Sequence, residues 1–124
     1  MSNYEPQFKV KATYMRGGTS KGTFFNIADL PKVAQEDPKK RDKLLQRIVG
    51  SPDVYKQQMD GMGGATSSTS KAILVGKSTV ANHDVDYYFC QVAIDKDFVD
   101  MSGNCGNLSS AVGPFAIKEG LVDN

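Results

Sequence analysis

The stretch DMSGNCGNLSSAVG at 100–113 sets Cys105 between two Gly/Asn pairs, where a loop turns into an apolar, periodic segment. A helix N-terminus presents unpaired N–H groups and a partial positive charge, which bind carboxylates and favour a thiolate over a thiol. Gly103 and Gly106 would let that backbone come close to a ligand, and Asn104 and Asn107 add amide donors. Cys105 is thus placed to act as a thiolate beside a bound anion. The plain alternative is packing, the commoner fate of a lone cysteine, but small polar neighbours make poor packing partners. Cys90, inside the apolar YFCQVA, fits the packing role.

Two more loops carry groups capable of proton chemistry. MRGGTSKG at 15–22 holds Arg16 and Lys21, and QQMDGMGGATSSTS at 57–70 runs straight into Lys71. Lysines in such places are usually exposed. Turned inward beside Arg16 and Lys21, Lys71 would become a usable base. His83 has no second His or Cys near it and makes a poor metal site, and Asp60 in MDGMGG reads as a turn residue. Neither glycine loop has the spacing of a phosphate-binding loop or a dinucleotide fingerprint.

The elements that must position these groups follow from period and punctuation. FKVKATY at 8–14 alternates as a strand, GTFFNI at 22–27 is its partner, and the glycine-rich segment between them is a hairpin loop. Asp37 as N-cap, Pro38 at the first helical position, apolar Leu44, Leu45 and Ile48, and a closing Gly50 define a surface helix. Its Lys39, Lys40, Arg41 and Lys43 read as a solvated face rather than a nucleic-acid surface. KAILVG at 71–76 and VDYYFCQVAI at 85–94 are strands. Leu108, Val112, Phe115 and Ala116 recur at helical spacing, with Pro114 predicting a kink or a short helix. The reading is α+β: strands around one apolar helix, with loops at 15–22, 61–70 and 102–107.

With 124 residues and a formal charge of +1, no overall field draws the chain to nucleic acid or a membrane. The first residues lack a secretory h-region and no apolar run could span a bilayer, so a cytoplasmic setting is expected, with Cys90 and Cys105 unpaired. The chain stops soon after its most apolar helix, as an unfinished domain would.

YMRGGTSKGTFF, DGMGGATSSTSKAILV, ANHDVDYYFCQVAID and SGNCGNLSSAVGPFAI together closely resemble the N-terminal part of the PrpF family, the methylaconitate isomerases of propionate breakdown. The resemblance implies a diaminopimelate epimerase-like fold of two similar domains, each a sheet wrapped around a central helix, with the active site between them. It implies residues 1–124 as an incomplete N-terminal domain, a tricarboxylate substrate and a proton shift needing neither cofactor nor metal. Lys71 matches the family's proposed general base, and Cys105 the cysteine facing the substrate. Arg16, Gly17, Gly18, Thr19, Ser20, Ser67, Ser68, Asn104, Gly106 and Asn107 lie in motifs that would line the carboxylate pocket. A functional link to an aconitase-like methylcitrate dehydratase is also implied; a homodimer is compatible with it, and the oligomeric state stays open. Two other readings stand beside the isomerase: a non-catalytic tricarboxylate-binding module for such a dehydratase, and loops that only pack and turn.

Overall fold

The computed structural model describes residues 9–122. Its centre is a five-stranded sheet in the order β1-β2-β3-β4-β5, formed by β1 (Thr13–Gly17), β2 (Ser20–Asn26), β3 (Lys71–Lys77), β4 (Val85–Val92) and β5 (Val99–Asp100). All pairs are antiparallel except β2 with β3. That parallel pair needs a crossover, which α1 (Lys32–Glu36) and α2 (Pro38–Val49) supply. After β5 come α3 (Gly106–Ser109) and α4 (Val112–Lys118).

Helices cover both faces, so the central strands are apolar on both sides rather than alternating. Phe24, Ile73, Val75 and Phe89 turn to one face and pack with Leu108, Ala111, Val112 and Phe115 of the α3–α4 segment. Their sequence neighbours Phe25, Ala72, Leu74 and Cys90 turn to the other and meet Leu30, Ala34 and Leu45 on the α1–α2 side. Each fully buried Phe or Leu contributes roughly 1.5–3 kcal/mol by leaving water. The two cysteines therefore lie in clusters on opposite faces, and both are free.

The sheet does not close on itself. The α3–α4 segment is the central helical element implied by the resemblance, here packed on one face of an open sheet.

Helix α2 forms where capping predicts it. The Asp37 side chain accepts the Lys39 N–H at 3.0 Å, Pro38 opens the helix, and Gly50 closes it in the left-handed region at φ 93°. Strand β1 does not run where alternation predicts. Phe8 lies outside the described residues, and the strand occupies Thr13–Gly17, pairing Met15 with Gly22 and Gly17 with Ser20. The expected eight-residue loop at 15–22 is accordingly a tight turn through Gly18 and Thr19, with Gly18 at φ 56°. The single apolar helix is also divided, ending one turn after Gly106 and resuming at Val112, two residues before Pro114. Alternation and period missed β5, the short α1 and a one-turn 3₁₀ segment at Ile27–Asp29, all too brief to show a pattern. No helix among the described residues is long and apolar enough to cross a membrane.

Candidate functional site

The register of the sheet decides which polar residues meet. Side chains alternate across a strand, so Ser20 shares a face with Phe24, and Lys71 shares it with Ile73 and Val75. Parallel pairing sets Thr23 against Ala72, bringing the starts of β2 and β3 side by side. Over them lies the loop that ends at Cys105, the N-cap residue of α3.

Three side chains converge there. Lys71 Nζ donates to Ser20 Oγ at 3.0 Å and to Cys105 Sγ at 3.3 Å, and Cys105 Sγ lies 3.7 Å from Ser20 Oγ. Lys71 is only 9% exposed, Cys105 8% and Ser20 2%. An ammonium and a sulfur held this close with so little water are costly to bury apart and favourable together. Lys71 Nζ also stands 5.7 Å from the centroid of the Phe89 ring, within cation–π range.

Burial alone would push the Cys105 thiol up, but its partners overcome it. The Leu108 N–H, donating to Sγ at 3.4 Å, the Ser20 hydroxyl, and Lys71 through both its hydrogen bond and its charge hold the thiol below its ordinary value. The unpaired N–H expected at a helix start is here that of Leu108 in the first turn of α3, and Ser20 and Lys71 add to it. Cys90 shows the contrast: burial in an apolar strand pushes it up to about 12, which Arg41 opposes and Asp42 reinforces.

Apart from Arg16, the remaining expected residues fall into three groups. Gly17, Gly18 and Thr19 press on the first turn of α3, where Asn107 Nδ2 donates to Thr19 Oγ1 at 3.0 Å. Asn104 and Gly106 flank Cys105 and are exposed; Asn104 Oδ1 accepts from the Tyr87 hydroxyl, and a Cβ on Gly106 would meet nothing within 4 Å. Ser67 and Ser68 lie in the loop before Lys71, where Ser68 O accepts the Lys21 N–H at 3.0 Å and Ser67 O accepts from Gln91 Nε2 at 3.0 Å.

Arg16 is not brought into the cluster. It pairs with Lys21 across the hairpin, one residue out of phase with Ser20, so both cations lie on the opposite face from Lys71. The exposed Arg16 side chain donates instead to Gly18 O at 3.4 Å. Treating 15–22 as an open loop hid this, because a loop has no alternation to separate the faces. His83 Nδ1 lies 3.0 Å from Ala81 O in a surface turn.

Three contributors were missed. Tyr87 and Phe89 follow from the alternation of β4 once the site face is known. Gln58 had no signal: it is 1% exposed, and its amide donates to Ser51 Oγ at 3.0 Å and Ser70 Oγ at 2.8 Å while accepting the Ala65 N–H at 2.8 Å. Through Ser70 it ties the glycine loop to the residue before Lys71. A 430 Å³ cavity beside 50–60 shares no lining residue with the cluster.

A buried lysine, serine and low-titrating cysteine can take up a proton and return it a few ångströms away. The chain also resembles known proteins. The chain is 65% identical to a 2-methyl-aconitate isomerase of Shewanella oneidensis over 125 residues, covering 99% of this chain and 32% of that protein. It is 65% identical to a 2-methyl-aconitate isomerase of Cupriavidus necator over 118 residues, covering 95% of this chain and 30% of that protein. The fold superposes on a crystal structure of methylitaconate-delta-isomerase with a TM-score of 0.84 at 50% identity, covering 93% of this chain and 28% of the other. The chain thus spans about a third of the length of the curated relatives it matches. Residues 7–124 match the PrpF protein family over the strands, loops and helices that build the cluster, and the chain belongs to that family.

Proposed function

We propose that the chain is the N-terminal part of an isomerase of aconitate-type tricarboxylates, with 2-methylaconitate as the foremost substrate and no cofactor in the reaction. The observation that carries this reading is the contact of Lys71 Nζ with Cys105 Sγ at 3.3 Å, braced by Ser20. Within that pair a proton passes from the ammonium to the thiolate, leaving an amine and a thiol. The amine takes a proton from the carbon beside a carboxylate, and the C–H electron pair spreads into an enolate-like allylic anion. The thiol then delivers its proton to the far end of that system, which moves the double bond and restores ammonium and thiolate.

Donors around the cluster suit the charge of such an acid. Thr19, Ser67, Ser68, Asn104, Asn107 and the backbone at Gly106 are offered as carboxylate contacts, and donors aimed at the developing oxyanion stabilise a transition state by several kcal/mol. The two relatives named as 2-methyl-aconitate isomerases support the choice of acid. An aconitase-like dehydratase acting on the same acid, and a cytoplasmic setting, complete the proposal.

The test is to incubate this chain, beside the protein with the length of its relatives, with 2-methyl-cis-aconitate in D₂O and follow vinyl and methylene protons by NMR. Isomerisation with deuterium incorporation by the longer protein is the expected result. Ligand signals that shift without exchange would replace the isomerase with the binding module.

A further inference from the structure

We infer that Gly17 and Gly18 are positioning residues, which set the spacing of Cys105 from Ser20 and Lys71 by letting the β1–β2 turn seat directly on the first turn of α3. The inference rests on the isomerase reading for its consequence in turnover, but its geometry stands apart from it. A Cβ built on Gly17 would lie 2.3 Å from Asn107 O and 2.9 Å from Leu108 Cα, both backbone atoms. One on Gly18 would lie 2.4 Å from Asn107 Oδ1 and 2.9 Å from its Cγ, both side-chain atoms. Real Cβ atoms do not approach so closely, so a methyl group at either position must displace something.

What moves differs between the two. At Gly17 the obstacle is the peptide between Asn107 and Leu108, and the Leu108 N–H of that same peptide donates to Cys105 Sγ at 3.4 Å. Ser20 lies just beyond the turn, pairs with Gly17 in the ladder, and holds the other side of the cluster through Lys71 and Cys105. Pushing the turn and the helix apart therefore lengthens the contact of Ser20 with the thiol, and tilting the Asn107–Leu108 peptide disturbs the Leu108 N–H bond to it. At Gly18 the obstacle is the end of a flexible side chain, which can swing away at the loss of its 3.0 Å bond to Thr19, while the φ of 56° adds a strain of its own. Leu108 itself is fully buried, so α3 cannot retreat without opening the core beneath it.

These two glycines thus act through Cys105 and Ser20 rather than through contact with substrate. The readout is the pH at which iodoacetamide alkylates Cys105 at half its maximal rate, measured on the full-length protein. Gly17→Ala is expected to raise that midpoint by about one unit, a roughly tenfold loss of thiolate at fixed pH, and to lower kcat more than it raises KM. Gly18→Ala is expected to raise it less. In an Asn107→Ala background the added effect of Gly18→Ala on the midpoint shrinks, because Oδ1 and Cγ are gone, while the φ of 56° and the Cβ of position 107 at 3.2 Å still strain a side chain at position 18. The effect of Gly17→Ala persists there, because that substitution leaves the backbone carbonyl at position 107 in place.

An unmoved midpoint in folded Gly17→Ala overturns the inference, as does a Gly18→Ala effect that is undiminished in the Asn107→Ala background. If Gly17→Ala does not fold, the Gly18 pair decides alone. Absence of isomerisation by the unaltered enzyme would sink the proposed function while leaving the thiol titration intact.

Discussion

Lys71 and Cys105, 34 residues apart in the chain, meet through a hydrogen bond of 3.3 Å on one face of the sheet, where each is about nine-tenths shielded from water. On the proposed reading this contact sets the base and the acid of a proton shift directly against each other.

Lys71→Ala in the full-length enzyme should lower kcat by about 10²–10⁴-fold, the usual contribution of a positioned proton-transfer group, while binding of the acid remains measurable by calorimetry. Lys71→Arg should not restore turnover, because a guanidinium cannot give up its proton near neutral pH. Unchanged kcat in Lys71→Ala would remove the lysine from the mechanism.

The Cys105 thiol should alkylate with a midpoint below the ordinary 9.0, with Cys90, pushed up to about 12, silent in the same experiment. Ser20→Ala should move the Cys105 midpoint upward, and a tricarboxylate should protect the thiol. A midpoint at or above 9.0 in the unaltered protein would contradict the arrangement of its partners.

The same thiol ties stability to pH. Its folded-state value lies below its unfolded one, so the contribution is fully present above the unfolded value and is lost as pH falls through the folded one. The melting-temperature advantage of the unaltered protein over Cys105→Ser should therefore widen as pH rises toward 9.0. An advantage that shrinks over that range would reverse the sign.

Gln58→Leu should destabilise by roughly 2–4 kcal/mol, since it strips the Ala65 N–H of its acceptor and two serine hydroxyls of a donor inside the protein. Urea titration checks this. A midpoint unchanged at the same slope would show that the loop holds without it.

Asp37→Ala should cost about 1 kcal/mol through loss of the cap on Lys39 N–H and leave turnover unaffected, as α2 lies on the face of the sheet away from the cluster. Impaired turnover at unchanged stability would mean that the two faces are coupled.

Much of the scaffold was legible because its signals are local. Asp37, Pro38 and Gly50 mark the ends of α2 through groups that act within one turn, and the apolar runs of β3 and β4 are fixed by composition. Cys105 stood out from its immediate neighbours, and Lys71 from its place after a glycine loop; the family resemblance then joined them. That Arg16 lies apart from the Lys71 cluster was not legible, for a related reason. A turn of two residues instead of eight extends the ladder, and within a ladder a shift of one residue reverses the face.

By itself the sequence determined the residue types of the site, the ends of α2 and the two buried strands, since caps, periods and turn residues act over a few positions. Tertiary structure alone decided that Ser20 meets Lys71 across 51 residues and Cys105 across 85, and that Arg16 stays out. Alternation tells which side chains of one strand share a face, but not which strands are neighbours or in what register. That choice is made by the apolar cores on the two faces of the sheet, whose burial selects the one pairing that covers both.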